Sequence, residues 1–228
     1  MSLPQNIRVE PFVVSEVEPQ VRGHRHQPEN PTGEGLILTH GAGSNSGAPL
    51  LVALARAFSS AGFTVLRCDL PYRQARSYGP PRPGDAVRDR EGLKNAINAM
   101  RRLVRGRVFL GGHSYGGRQS SMLCAAEPDL VDGLLLLSYP LHLPRKPEQL
   151  RTQHLPNLRT PSLFVSGTRD PFGSIEEIEH ALKLIPAKTK LLTVEGAGHD
   201  LNSRKGKAGD AGGLVPTIFK TLLEFFFG

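Results

Sequence analysis

Tryptophan is absent from the 228 residues, cysteine occurs twice, methionine three times, and aromatic side chains make up only 6%. Two cysteines exclude a disulfide-framed scaffold. Cys68 and Cys124 fall in different expected elements, with neither a metal-ligand nor a redox spacing, so buried free thiols are expected. No segment approaches the run of about 20 apolar residues that a membrane span needs, and Met1 to Glu10 holds no apolar stretch suited to a signal peptide. A soluble, cytoplasmic chain with no membrane partner is the expectation. Charge is only moderately one-sided, with 28 Lys and Arg against 21 Asp and Glu, a formal net charge of +7. Arg101, Arg102, Arg105 and Arg107 gather around an expected helix end, where positive charge complements the macrodipole. No aromatic residues interleave with them as a single-strand platform requires, so nucleic acid is not an expected partner.

A hydrophobic fraction of 39% can bury one sizeable core, and no linker divides the chain, so residues 1–228 are read as one domain. Strand and helix signals alternate. Gly35 to His40, Thr64 to Leu70, Val108 to Gly112, Gly133 to Tyr139, Ser162 to Ser166 and Lys190 to Val194 are short apolar runs suited to strands buried on both faces. Between them, Leu50, Leu51, Leu54, Ala55 and Phe58 recur at helical spacing, as do Val87, Leu93, Ala96, Ile97, Met100, Leu103 and Val104, all read as core. Ser174 and Glu177 form an expected capping box, and Leu214, Ile218, Leu222 and Phe225 mark a closing helix. Residues 7 to 30 read as edge strands and turns broken by prolines, and residues 71 to 84 as a loop. The whole pattern predicts an α/β fold, a mostly parallel twisted sheet with helices on both faces. In such sheets ligands bind beyond the carboxyl ends of the strands.

One of those strand ends runs Gly112-His113-Ser114-Tyr115-Gly116 into a helix. A serine in a strained strand-to-helix bend needs small neighbours two residues either side, and Gly112 and Gly116 stand there. A serine hydroxyl is a weak nucleophile and needs an imidazole to take its proton, which in turn needs a carboxylate to fix its tautomer. Ser114, Asp170 and His199 follow strand ends in the chain order that such elbows use. Residues 138 to 144 hold no rival carboxylate, Asp200 is too close in sequence to His199 to reach its far ring nitrogen, and His154 and His180 lack a strand end to aim them. His113 reads as filler under the bend. Two backbone donors are needed for the developing oxyanion, and the N–H groups of Tyr115 and of Ala42, in His40-Gly41-Ala42-Gly43, are the candidates. His40 itself reads as structural. His40, His113 and His199 come with no carboxylate or thiolate at a ligand spacing, so neither a metal nor any other cofactor is expected.

Together, Gly112 to Gly116, His40 to Gly43, Gly167 to Asp170 and Gly198-His199 resemble the alpha/beta-hydrolase family across nearly the whole chain. Leu137 to His142 and Leu163 to Gly167 are similar to a dienelactone-hydrolase-like branch that includes a testis-expressed protein and a subunit of a histone acetyltransferase complex. The resemblance implies an eight-stranded sheet or a trimmed version of it. Dienelactone hydrolases use a cysteine nucleophile where this chain has Ser114, which argues against a lactone substrate. The connection 140–161 is too short for a cap domain, so an open site for a small acyl substrate is expected, with Tyr139 and His142 as candidate substrate-binding residues on its wall or else loop anchors. Arg73, Arg76, Arg204, Lys205 and Lys207 read either as attracting an anionic substrate or as solvated charge. Two function classes follow: a serine hydrolase working on esters, thioesters or related acyl compounds through an acyl-enzyme, or a silent hydrolase-like fold used for binding or assembly.

Overall fold

A computed structural model describes residues 6–202 and 213–228. Eight strands form one sheet: β1 Ile7–Val14, β2 Val21–Pro28, β3 Gly35–Thr39, β4 Thr64–Cys68, β5 Val108–His113, β6 Gly133–Leu137, β7 Ser162–Gly167 and β8 Thr189–Val194. The order across the sheet is β1-β2-β4-β3-β5-β6-β7-β8. β1, β2 and β4 pair antiparallel, and every pair from β4 through β8 is parallel. The reversal of direction along the chain falls at β3, which lies between β4 and β5, so β3 and β5 open their ends onto the crevice where such folds hold ligands.

Among the described residues, six helices accompany the strands: α1 Pro49–Ser60, α2 Pro71–Ala75, α3 Asp85–Leu103, α4 Tyr115–Ala126, α5 Ile175–Leu182 and, after the last strand, α6 Leu214–Phe227. The apolar strands split their side chains between two cores by the two-residue period of the pleat. Leu134 and Leu136 join Ile37, Leu110 and Phe164 beneath α3, α4 and α5, while Leu135 and Leu137 join Leu36, Leu38 and Phe109 against α1 and α6. Burial on both faces is what makes β6 an unbroken run of leucines. Each such leucine contributes about 1.5–3 kcal/mol relative to exposure.

The capping box at α5 forms as expected, with Ser174 accepting the Glu177 N–H and Glu177 accepting the Ser174 N–H. Both cysteines are buried free thiols, and burial pushes each up to about 12. Three expectations change. β1 runs unbroken through Pro11 because it is the outer strand, where a residue without an N–H is tolerated. α2 forms inside the expected 71–84 loop, started by Pro71 at its first turn. Val87 and Leu103 lie exposed near the two ends of α3, while Leu93, Ala96, Ile97 and Met100 pack in the core as expected, joined on the buried face by Asp89 and Gly92. Among the described residues no helix is long and apolar enough to cross a membrane.

Candidate active site

β5 ends at His113, and α4 begins at Tyr115 with Ser114 between them at φ 51, ψ −116. A non-glycine residue at positive φ is strained, and the surroundings hold it. The Ser114 N–H donates to the Leu137 carbonyl at 2.8 Å, which extends the β5–β6 pairing through the serine itself. The two glycines are demanded by different neighbours. A Cβ on Gly112 would stand 2.4 Å from the Gly117 nitrogen, across the bend; one on Gly116 would stand 2.6 Å from the His40 carbonyl oxygen, on the adjacent β3 end.

Asp170 and His199 lie on the loops after β7 and β8. These loops are joined to each other: the Arg169 N–H donates to the Ala197 carbonyl at 2.9 Å, and the Gly196 N–H donates to the Thr168 hydroxyl at 2.9 Å. Gly167 permits this approach, since a Cβ there would be 2.3 Å from the Ala197 carbonyl oxygen. The result is a linear relay. His199 Nε2 lies 2.8 Å from Ser114 Oγ, and His199 Nδ1 lies 2.8 Å from Asp170 Oδ2 and 3.0 Å from Oδ1. The Asp170 side chain is only 3% exposed against 21% for His199, so the carboxylate is shielded while the imidazole remains reachable. A carboxylate at Nδ1 favours the proton there and leaves Nε2 as the acceptor facing the serine.

Two supports for the imidazole carry no motif. The Phe172 ring stacks on His199 at 4.0 Å between centroids and 28° between planes, and the Phe172 N–H donates to Asp170 Oδ1 at 2.9 Å. From the other side, His113 Nε2 donates to the His199 carbonyl at 2.8 Å. Burial holds His113 below the usual histidine range, so it stays neutral with that proton available for the carbonyl. His113 is therefore a tether for the loop of the base rather than filler.

The turn after β3 carries Ala42, the first of the two candidate backbone donors. Ser44 N–H closes a turn onto the Gly41 carbonyl at 3.1 Å, which places Ala42 and Gly43 at its corners. A Cβ on Gly41 would lie 3.4 Å from Ser114 Cβ, so this turn packs directly on the serine. Its carbonyls are drawn the other way. The Tyr72 hydroxyl lies 3.1 Å from the Gly41 and 2.9 Å from the Ala42 carbonyl, and Arg73 donates to Ser44 O at 2.7 Å and Ala42 O at 3.2 Å. His40 is buried, with Nε2 accepting the Leu70 N–H at 3.1 Å and Nδ1 donating to the Gly41 carbonyl at 2.9 Å. The other donor candidate, the Tyr115 N–H, opens α4 and has no intrahelical acceptor.

Other expectations turn out differently. Tyr139 is 2% exposed, with its ring against Phe164 and its hydroxyl donating to the Arg151 carbonyl at 2.7 Å, so it packs in the core instead of lining a wall. His142 is also buried. Its N–H holds the Phe172 carbonyl at 3.1 Å, and its ring nitrogens face the Leu143 carbonyl and Glu177, which makes it an anchor behind the acid loop. Arg73 is neither solvated nor turned to a ligand, being buried among four carbonyl oxygens. Arg76 pairs with Asp85. Arg204, Lys205 and Lys207 lie outside the described residues. Between β6 and β7 the chain forms only an isolated bridge and a short 3-10 turn at Leu155–Asn157, with no cap domain.

Residues 32–226 match the family model described as an alpha/beta hydrolase domain. Among solved structures, a dienelactone hydrolase from Anabaena variabilis aligns at a TM-score of 0.73 and 20% identity, covering 97% of each chain. An alpha-beta serine hydrolase homologue from Coxiella burnetii gives 0.73 and 19% over 93% of this chain and 97% of that one. Est1E from Butyrivibrio proteoclasticus gives 0.70 and 16% over 96% and 99%. At these identities the likeness is one of fold. A stretch of 57 residues, 25% of this chain, is 42% identical to part of the polyketide synthase ThaQ of Burkholderia thailandensis, and that match spans only 3% of the synthase.

Proposed function

Because the chain belongs to the alpha/beta hydrolase domain family, we propose that it is a serine hydrolase that cleaves small acyl substrates through an acyl-enzyme on Ser114. The observation that carries this is the unbroken line from Asp170 through His199 to a strained serine, with 2.8 Å at each step. A buried serine–histidine contact serving only to pack would need neither the positive φ at Ser114 nor a shielded carboxylate behind the ring.

In the proposed reaction Ser114 Oγ bonds to the acyl carbon while its proton passes to His199 Nε2, and Asp170 stabilises the imidazolium. The carbonyl oxygen takes up the negative charge and accepts from the N–H groups of Ala42 and Tyr115, each such donor being worth about 10² to 10³ in rate. Collapse expels the leaving group, which takes the proton from His199. Water then enters, gives a proton to the same nitrogen and attacks the ester of Ser114; collapse releases the acid product as His199 returns that proton to Ser114 Oγ, which regenerates free serine and neutral imidazole. No step needs a cofactor.

Est1E binds ferulic acid and the Anabaena protein is a dienelactone hydrolase, so short alkyl esters, hydroxycinnamoyl esters and thioesters make the first substrate panel. The buried free thiols of Cys68 and Cys124 fit a reducing compartment such as the cytoplasm. A fluorophosphonate probe tests the proposal: wild type is labelled and Ser114→Ala is not, and the labelled protein loses turnover of short p-nitrophenyl esters. Folded wild type that resists the probe would point to a binding module instead.

A further inference from the structure

Asp89 lies in α3 with no exposed surface. Burial of a carboxyl raises its pKa and is costly unless its oxygens are taken up. Both are. Oδ1 accepts the backbone N–H of Tyr72 at 2.9 Å, and Oδ2 accepts the hydroxyl of Tyr115 at 2.7 Å. Each of these two tyrosines belongs to a different half of the proposed oxyanion site. Tyr72 holds the carbonyls of Gly41 and Ala42 through its hydroxyl; Tyr115 carries the second N–H on its own backbone. Their rings meet edge to face at 5.8 Å. One carboxyl on a rigid helix thus touches both halves of the site, although it is 17 residues from one and 26 from the other.

We propose that Asp89 is a positioning residue that fixes the separation of the Ala42 and Tyr115 N–H donors by holding Tyr72 and Tyr115 from α3. This rests on Ser114 being the nucleophile and on those two groups being its oxyanion donors. A displacement of about 1 Å can cost about 10² in rate, because donors must meet the oxygen of the transition state rather than that of the substrate. Loss of the carboxyl therefore acts on kcat and spares ground-state binding.

Asp89→Ala, Asp89→Asn and Tyr115→Phe are compared with wild type after active-site titration with the fluorophosphonate, so that rates refer to competent protein. Asp89→Ala is expected to lower kcat about 10- to 100-fold with KM unchanged, and to raise the Ki of a trifluoromethyl ketone by the same factor. Asp89→Asn recovers most of that loss: its oxygen accepts the Tyr72 N–H while its amide donates to the Tyr115 hydroxyl, which can turn from donor to acceptor. Tyr115→Phe removes the Oδ2 contact alone and shifts kcat and Ki in the same direction, which keeps the test decisive if Asp89→Ala does not fold. A wild-type kcat per titrated site in Tyr115→Phe and in any folded Asp89→Ala overturns the inference, and so does a loss confined to KM or to the number of titratable sites. Wild type that cannot be titrated at all refutes the hydrolase reading, and the inference falls with it; that outcome is read from wild type alone.

Discussion

Asp170→Asn tests the relay at its least visible point. Asp170 Oδ1 accepts the Phe172 N–H at 2.9 Å, while Oδ2 sits 2.8 Å from His199 Nδ1. An asparagine has one oxygen, and the Phe172 N–H, a fixed backbone donor, claims it. The amide NH2 is thereby turned toward His199. Facing a donor, Nδ1 must accept, so the ring proton moves to Nε2 and points at Ser114 Oγ, where an acceptor is required. The variant keeps its shape and nearly its volume but holds the base in the wrong tautomer. The expected cost is about 10⁴ in kcat, about 5.5 kcal/mol in the barrier. The assay is kcat on the fastest p-nitrophenyl ester at neutral pH, with a thermal melt to show that the fold persists. Asp200→Asn is the control: the Asp200 carboxylate accepts from the Asn202 N–H at 3.1 Å and its side-chain amide at 2.9 Å, while His199 Nδ1 faces Asp170, so its kcat should match wild type. A folded Asp170→Asn that keeps more than about a tenth of wild-type kcat would refute the tautomer argument, and a collapse in Asp200→Asn instead would assign the acid there.

Stability should fall on acidification through His26, which is buried in β2 and accepts the Arg67 Nε–H at 2.9 Å. Burial first, then the Arg67 charge, lowers its pKa from 6.5 to about 4, so between those values the unfolded chain binds the proton and the folded chain does not. The contribution is fully present above 6.5 and is lost as the pH falls toward 4, by about 3 kcal/mol; urea titrations at several pH values should show that much less acid sensitivity in His26→Gln, and equal slopes would sink the assignment. Gly116→Ala should destabilise by about 1–3 kcal/mol or more and slow turnover, because its Cβ meets the His40 carbonyl oxygen at 2.6 Å and backbone cannot yield as a side chain can. An unchanged urea midpoint in that variant would show that the elbow has room the packing denies.

The parallel strands were legible because β3, β4, β5, β6 and β7 are buried on both faces and so write continuous apolar runs. β2 was not, since Val21 to Pro28 alternates buried and exposed positions with polar residues on both sides, and two of its buried places hold His26 and Gly23. Gly23 is needed because Arg67 O would lie 1.9 Å from a Cβ, a cause in β4 that no local pattern reveals. Tyr139 misled for the opposite reason: its place just after β6 suggests the ligand edge, yet the chain turns inward there and seals the ring against Phe164.

That Ser114, Asp170 and His199 come together could be anticipated because each follows a strand end, in the chain order that such elbows use. The contacts of Asp89, Tyr72, Phe172 and His113 could not, because each depends on a group far along the chain that the fold brings beside it. The Gly112-to-Gly116 motif stands between these cases. It reads as a local pattern, but only Gly112 answers to its own bend; Gly116 answers to Thr39 and His40 at the end of β3, the strand whose following turn supplies the proposed Ala42 donor. A larger residue at Gly116 would thus push that turn away from Ser114 as it strained the elbow. The second glycine of the motif thus governs how closely Ser114 approaches the turn that carries Ala42, and on the proposed reading that is the distance between nucleophile and oxyanion donor.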